Sequence, residues 1–239
     1  MKQCREVVVA AIGRSALAKA RKGSFAGVHP VELGAKTLAG VLDRLPQLDL
    51  KQVDDFIVGC STPCGEQGSN MAKLVLQRVG FPENVPAQTV NRFCSSGLQT
   101  IATASNAIAA GAADIIIAGG IESMTRVSMI PDPKDADPWL LEHFPDAYMP
   151  MGMTAENVAD DYGVTRLEMD TFASRSHERA AKAQNAGEFK RQIVEIAVMD
   201  EDGQEKVVKS DEGIRAGTTP EILSTLATPF KENGSVTAG

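Results

Sequence analysis

Two hydrophobic periods alternate along the first 122 residues. Val7 to Ile12 is a β-branched apolar run and reads as a strand. Residues 31–45 carry Leu38, Val41, Leu42 and Leu45 at helical spacing. Residues 53–59 (VDDFIVG) predict a second strand. Residues 69–79 predict a helix closed by Gly80, with Pro82 and Pro86 in the loop beyond. A third strand is expected at 87–91. A long helix of small residues follows at about 95–111, with Leu98, Ile101, Ala102, Ser105, Ile108, Ala109 and Ala112 on one face. Residues 114–119 (DIIIAG) predict a fourth strand. Strands alternating with helices in this way belong to an α/β fold, a mostly parallel sheet covered by helices.

The pattern changes after Glu122. Pro131, Pro133, Pro138, Pro145 and Pro150 break the segment that follows into a loop region too long for a plain connection. Two helices come next. The second opens on Thr165 and Glu168, spaced as a capping box, carries Met169, Phe172, Ala173, Ser176 and Ala180 on one face, and is expected to end at Gly187. Ile193 to Val198, a charged turn and residues 206–208 read as two further strands. The expected division is a sheet domain over 1–122 and an inserted α+β loop domain over 123–239.

Composition removes several function classes. The net charge of −7 argues against a general nucleic-acid binder, which needs a basic surface. Four cysteines in 239 residues (Cys4, Cys60, Cys64, Cys94) are too sparse for a disulfide scaffold. Cys60 and Cys64 lack a second pair, so no metal is expected. The amino-terminal run is too short for a signal peptide, and Asp114 breaks the best candidate for a membrane span. The resulting expectation is a reduced, cytoplasmic protein with no membrane or nucleic-acid partner.

The chemistry concentrates in TVNRFCSSGLQTIATA, residues 89–104. Cys94 stands where a strand turns into a small-residue helix. Backbone N–H groups and the helix dipole favour negative charge there, so a thiolate gains from the placement. Ser95, Ser96 and Gly97 keep bulk away from the sulfur. A thioester carbonyl could approach, and the Cys94 N–H could serve the oxyanion formed on it.

VNRFCSSGLQT closely resembles the nucleophile segment of thiolases, especially the degradative 3-ketoacyl-CoA type. GGIESMT at 119–125, MPMGMTAENVA at 149–159, DEGIR at 211–215, TTPEILSTLATPF and GSVTAG resemble further thiolase segments in family order. Several motifs in the right order are far more specific than any one of them. The resemblance implies a layered αβα sheet domain carrying Cys94 and a loop domain that helps hold coenzyme A. It also implies acyl transfer through an acyl-Cys94 thioester, with acyl-CoA as substrate and no covalently bound cofactor. Met151 would line the pantetheine tunnel, Arg215 would lie near the nucleotide end, and Phe230 and Ala238 would flank the CoA. The resemblance further implies a homodimer or a dimer of dimers.

Three departures matter. Pro150 stands where some biosynthetic thiolases have His, and Ile222 stands where those enzymes have Ser, which leans toward the degradative, broader-chain subgroup. The segment GRSALAKARKGSF matches its family counterpart poorly. The family's Gly-His-Pro base motif and Cys-x-Gly motif belong to a carboxy-terminal domain that the chain does not contain, so the isolated chain is expected not to turn over. The three histidines are His29, His143 and His177. His29 precedes Pro30 but opens a helix and reads as structural, and His177 falls on a charged helix face. The rival readings are a ketoacyl-synthase-like condensing enzyme and a non-catalytic CoA-binding or dimerisation module.

Overall fold

Pro30 at the first helical turn, with His29 as its cap, starts α1 (Pro30–Leu42). The His29 Nδ1 accepts the Val31 N–H at 3.2 Å, satisfying one of the free donors of the first turn. β1 (Asp55–Gly59) follows, then α2 (Met71–Val79), which closes on Gly80 at φ 88° in the left-handed region. β2 (Ala87–Val90), α3 (Ser96–Ala109) and β3 (Ile116–Gly120) complete the alternation. These positions come from a computed structural model that describes residues 5–129, 133–199 and 203–239; Cys4 lies outside them.

The three strands form one parallel sheet in the order β2-β1-β3, with Phe56 opposite both Ala87 and Ile117. The central strand is buried on both sides, as a parallel strand between helical layers must be. Phe56, Val58 and Cys60 join Val31, Leu38, Val75 and Leu76 in the core under α1 and α2. Full burial of each such aliphatic side chain contributes about 2 kcal/mol. On the other side α3 packs closely, because the facing positions are small.

The face that α3 buries is not the one its apolar residues mark. Ser96, Thr100 and Ala104 are buried, whereas Leu98 is 70% and Ile101 51% exposed. Close backbone approach decides this: Thr100 Oγ1 donates to the Gly97 carbonyl at 2.7 Å and to Gly119 at 3.0 Å, a tie that Leu could not make. The amino-terminal run also departs from expectation. Val7 to Ile12 forms no strand, and Val8, Val9 and Ile12 are 75%, 74% and 62% exposed. Intrinsic β preference without a neighbouring ladder does not make a strand.

The chain divides into two compact units. The first contains residues through Met129 together with Phe189–Gly213, and the second contains the rest. The stretch 189–213, expected in the loop domain, therefore folds with the sheet. Its strands β4 (Ile196–Met199) and β5 (Glu205–Val208) pair antiparallel. Ile196, Val198 and Val208 share a core with Ala16 and Phe25, an apolar match between distant segments. Arg14 holds Asp211 through two bonds of 2.7 and 2.9 Å.

In the second unit, α4 (Pro138–His143), α5 (Met151–Tyr162), α6 (Arg166–Asn185) and α7 (Pro220–Ser224) follow in order, and the Thr165–Glu168 capping box is formed. Arg166 Nε meets the buried Asp170 at 2.8 Å, and the same guanidinium donates to the Leu223 carbonyl at 2.6 Å and to Leu226 at 3.2 Å. Arg166→Met removes all three contacts and strands a buried carboxylate. Urea unfolding of this unit is expected to show a loss of about 3 kcal/mol; a loss within about 0.5 kcal/mol would place Arg166 among ordinary surface residues.

Candidate active site

Three strand ends converge below Cys94. β2 stops at Val90, and residues 91–95 turn the chain into α3. Phe93 takes φ 45°, uncommon for a residue with a side chain, and is 76% exposed. Asn91 Oδ1 accepts the Phe93 N–H at 2.7 Å. Ser96 Oγ accepts the Arg92 N–H at 2.8 Å and donates to the Phe93 carbonyl at 2.6 Å. The turn is thus fixed from within, and Cys94 emerges exposed on it. Beneath it, a Cβ on Gly59 would lie 2.4 Å from the Ser96 carbonyl carbon, so β1 and the first residue of α3 touch backbone to backbone. Gly120 closes the same contact from β3, where a Cβ would lie 3.4 Å from Gly97 Cα.

The other described cysteines differ sharply from Cys94. Cys60 is buried, and burial, assisted by the Glu122 carboxylate 3.8 Å from its sulfur, pushes its thiol up to about 11. It is an inert thiol at neutral pH. Cys64 is exposed, but it precedes only a single 3-10 turn, Gly65–Gln67, rather than an α-helix. Among the described residues, no group of three or more His, Cys, Asp and Glu side chains is arranged to hold a metal. None of the described helices is long and apolar enough to cross a membrane.

The remaining predicted site residues lie in the second unit. Met151 is the first residue of α5 and is 74% exposed. Phe230, 39% exposed, lies against the next residue: a Cβ on Gly152 would come within 2.1 Å of its ring. Met151 and Phe230 therefore flank one end of α5. The Arg215 backbone N–H donates to His177 Nδ1 at 3.2 Å, and its carbonyl accepts from Thr218 Oγ1 at 2.8 Å. His177, expected on a solvated face, anchors that loop instead. Ala238 is exposed, just beyond a segment held by Glu156.

Glu156 had no assigned role in the sequence reading. It is buried and accepts from the backbone N–H groups of Ser235 and Val236, at 2.8 to 3.0 Å, and from Ser235 Oγ. The Ser235 N–H foremost, then Val236 N–H, the Ser235 hydroxyl and Lys231, hold its carboxyl below the usual range despite burial. Because the folded pKa is depressed, this stabilisation is present above the unfolded pKa and is lost as pH falls through the folded one. Glu156→Gln is expected to lower thermal stability at pH 7. The gap from the parent should close in acid, below the ordinary carboxylate range; a gap independent of pH would contradict this.

Residues 7–239 match the family described as thiolase, N-terminal domain. The chain belongs to the thiolase family. It is 46% identical to a 3-ketoacyl-CoA thiolase of Bacillus subtilis (strain 168), a match covering 98% of this chain and 62% of that protein. It is 38% identical to a beta-ketoadipyl-CoA thiolase of Acinetobacter baylyi, over 91% of this chain and 58% of that one. The crystal structure of the Bacillus anthracis acetyl-CoA acetyltransferase superposes with a TM-score of 0.87 at 32% identity, covering all of this chain and 62% of that one. This thiolase chain thus spans less than two thirds of the length of these relatives, and it has their layered α/β fold.

Proposed function

We propose that this chain carries the acyl-accepting half of a 3-ketoacyl-CoA thiolase, with Cys94 as the nucleophile. The observation that carries the reading is an exposed thiol, fixed on a strained turn immediately ahead of the 14-residue α3, in a chain of the thiolase family. The Cys94 thiolate adds to the 3-keto carbon, and the Cys94 backbone N–H is the donor proposed for the oxyanion formed there. The bond between C2 and C3 breaks, its electron pair stays on C2, and protonation there releases acetyl-CoA. The shortened acyl group remains on Sγ. A second CoA thiolate attacks that thioester and expels Cys94 as thiolate, giving a shortened acyl-CoA. The reverse sequence is a Claisen condensation.

Met151, Arg215, Phe230 and Ala238 are the proposed CoA contacts. Met151 and Phe230 offer apolar surface at the start of α5 for pantetheine, and Arg215 offers a charge for a phosphate or an adenine face. Each histidine already has a structural partner: His29 caps α1, His143 stacks on Trp139, and His177 accepts from Arg215. Acyl capture by Cys94 is the step assigned to these 239 residues. A homodimer, or a dimer of dimers, in the cytoplasm completes the proposal.

Thiol reactivity tests the reading. Iodoacetamide at pH 7 to 8 is expected to label Cys94 first and to leave Cys60 unlabelled in the folded protein, and acetyl-CoA should protect Cys94. Equal, slow labelling of all cysteines, unaffected by acetyl-CoA, would favour a non-catalytic module instead.

A further inference from the structure

Glu122, Ser61 and Asn91 form a hydrogen-bonded line across the carboxyl ends of all three parallel strands, where ligands of open α/β sheets bind. Glu122 follows β3. Its Oε2 accepts the Ser61 N–H at 2.6 Å and the Ser61 hydroxyl at 2.7 Å. Its Oε1 accepts Gln67 Nε2 at 2.8 Å, and Gln67 is fully buried, so the carboxylate is fixed on both oxygens. Ser61 follows β1, and its carbonyl accepts Asn91 Nδ2 at 3.0 Å. Asn91 follows β2, and its Oδ1 takes the N–H of Phe93, whose positive φ throws Cys94 outward. The turn carrying the thiol is therefore tied to the sheet through one amide side chain, which uses both of its ends.

From this we infer that Asn91 is a positioning residue for Cys94, held in register by Ser61 and Glu122. The inference rests on the reading of Cys94 as the nucleophile. Asn91 satisfies the Phe93 N–H in a left-handed conformation that costs about 1–3 kcal/mol and persists only where its surroundings impose it. Its Nδ2 contact makes the position of that turn depend on Ser61, not only on local chain preference. Without the tie, the turn relaxes and the sulfur swings away from the approach line to a bound carbonyl. A displacement near 1 Å is enough to lower a reaction of this kind about a hundredfold.

Two rates measured on the same protein separate positioning from plain stability. One is acetyl capture by Cys94 from acetoacetyl-CoA in a single turnover; the other is alkylation of Cys94 by iodoacetamide. Capture needs the sulfur aimed at a bound carbonyl, whereas a small reagent in solution reaches any exposed thiol. In Asn91→Ala, capture is expected to fall about 100-fold while alkylation stays within about threefold of wild type. Glu122→Gln leaves the turn residues themselves intact and is expected to show the same split, at about tenfold. Should Asn91→Ala fail to fold, Glu122→Gln decides alone. Wild-type capture in the folded variants overturns the positioning role and leaves the nucleophile reading standing. Parallel loss of capture and alkylation also overturns it, since the defect then lies in the thiol or its exposure. If the wild-type protein captures no acetyl group on Cys94, the nucleophile reading fails and the positioning role falls with it.

Discussion

Serine in place of Cys94 is expected to abolish acyl capture while leaving the fold intact. Single-turnover release of acetyl-CoA from acetoacetyl-CoA should fall by about 10⁴-fold or more, the scale seen when a nucleophile is removed. The hydroxyl can occupy the same place on the turn, but it does not ionise near neutral pH, and the helix start cannot supply the difference. Cys94 is exposed and contributes little to the core, so the variant should unfold at the urea concentration of the parent. A loss of less than about tenfold would remove Cys94 from the chemistry.

The second large effect is expected at Gly59, which touches no substrate but underlies the turn that carries Cys94. A methyl group there would sit 2.4 Å from the Ser96 carbonyl carbon, 2.6 Å from its oxygen and 2.7 Å from the Gly97 nitrogen. All three are backbone atoms, so no side chain can swing aside. Either β1 bends or the first turn of α3 lifts off the sheet. Gly59→Ala is expected to destabilise the first unit by about 3 kcal/mol, the upper range for overpacking. Acyl capture should fall with it, because the displaced helix start carries Cys94. Gly97→Ala is the control. A Cβ there meets nothing nearer than Gly120 Cα at 4.0 Å, so stability should change by no more than the roughly 1 kcal/mol set by helix preference. Equal stability of Gly59→Ala and the parent would show that the contact is slack.

Much of this was legible in the sequence because it is local. Gly80 closing α2, the Thr165–Glu168 box and the strand around Phe56 and Val58 are short-range signals, and each appears where the chain predicts it. Cys94 at the strand–helix junction was legible for the same reason. What failed was whatever depends on distant partners. The apolar positions of α3 pointed to the wrong face, because the buried face is set by the close approach of Ser96 to Gly59 and of Thr100 to Gly119. Val7 to Ile12 had strand composition without a strand beside it. The stretch 189–213 joined the sheet unit through Ile196, Val198 and Val208 meeting Ala16 and Phe25, an association no local pattern announces. His177 read as a charged helix face and Glu156 carried no separate signal, yet each receives a backbone N–H from a segment dozens of residues away. Asn91 belongs with them: it was expected as the last residue of the third strand, but the strand stops at Val90 and only the fold shows Ser61 opposite.

The place where an acyl group comes to rest decides whether Cys94 is the nucleophile. The protein would be mixed with acetoacetyl-CoA without free CoA, quenched in acid, digested and analysed by mass spectrometry. The expected result is one acetyl group per chain, confined to the peptide that carries Cys94 and removed when CoA is added before the quench. Acetylation spread over Cys60 or Cys64, or an unmodified Cys94 in protein that binds CoA, would contradict it.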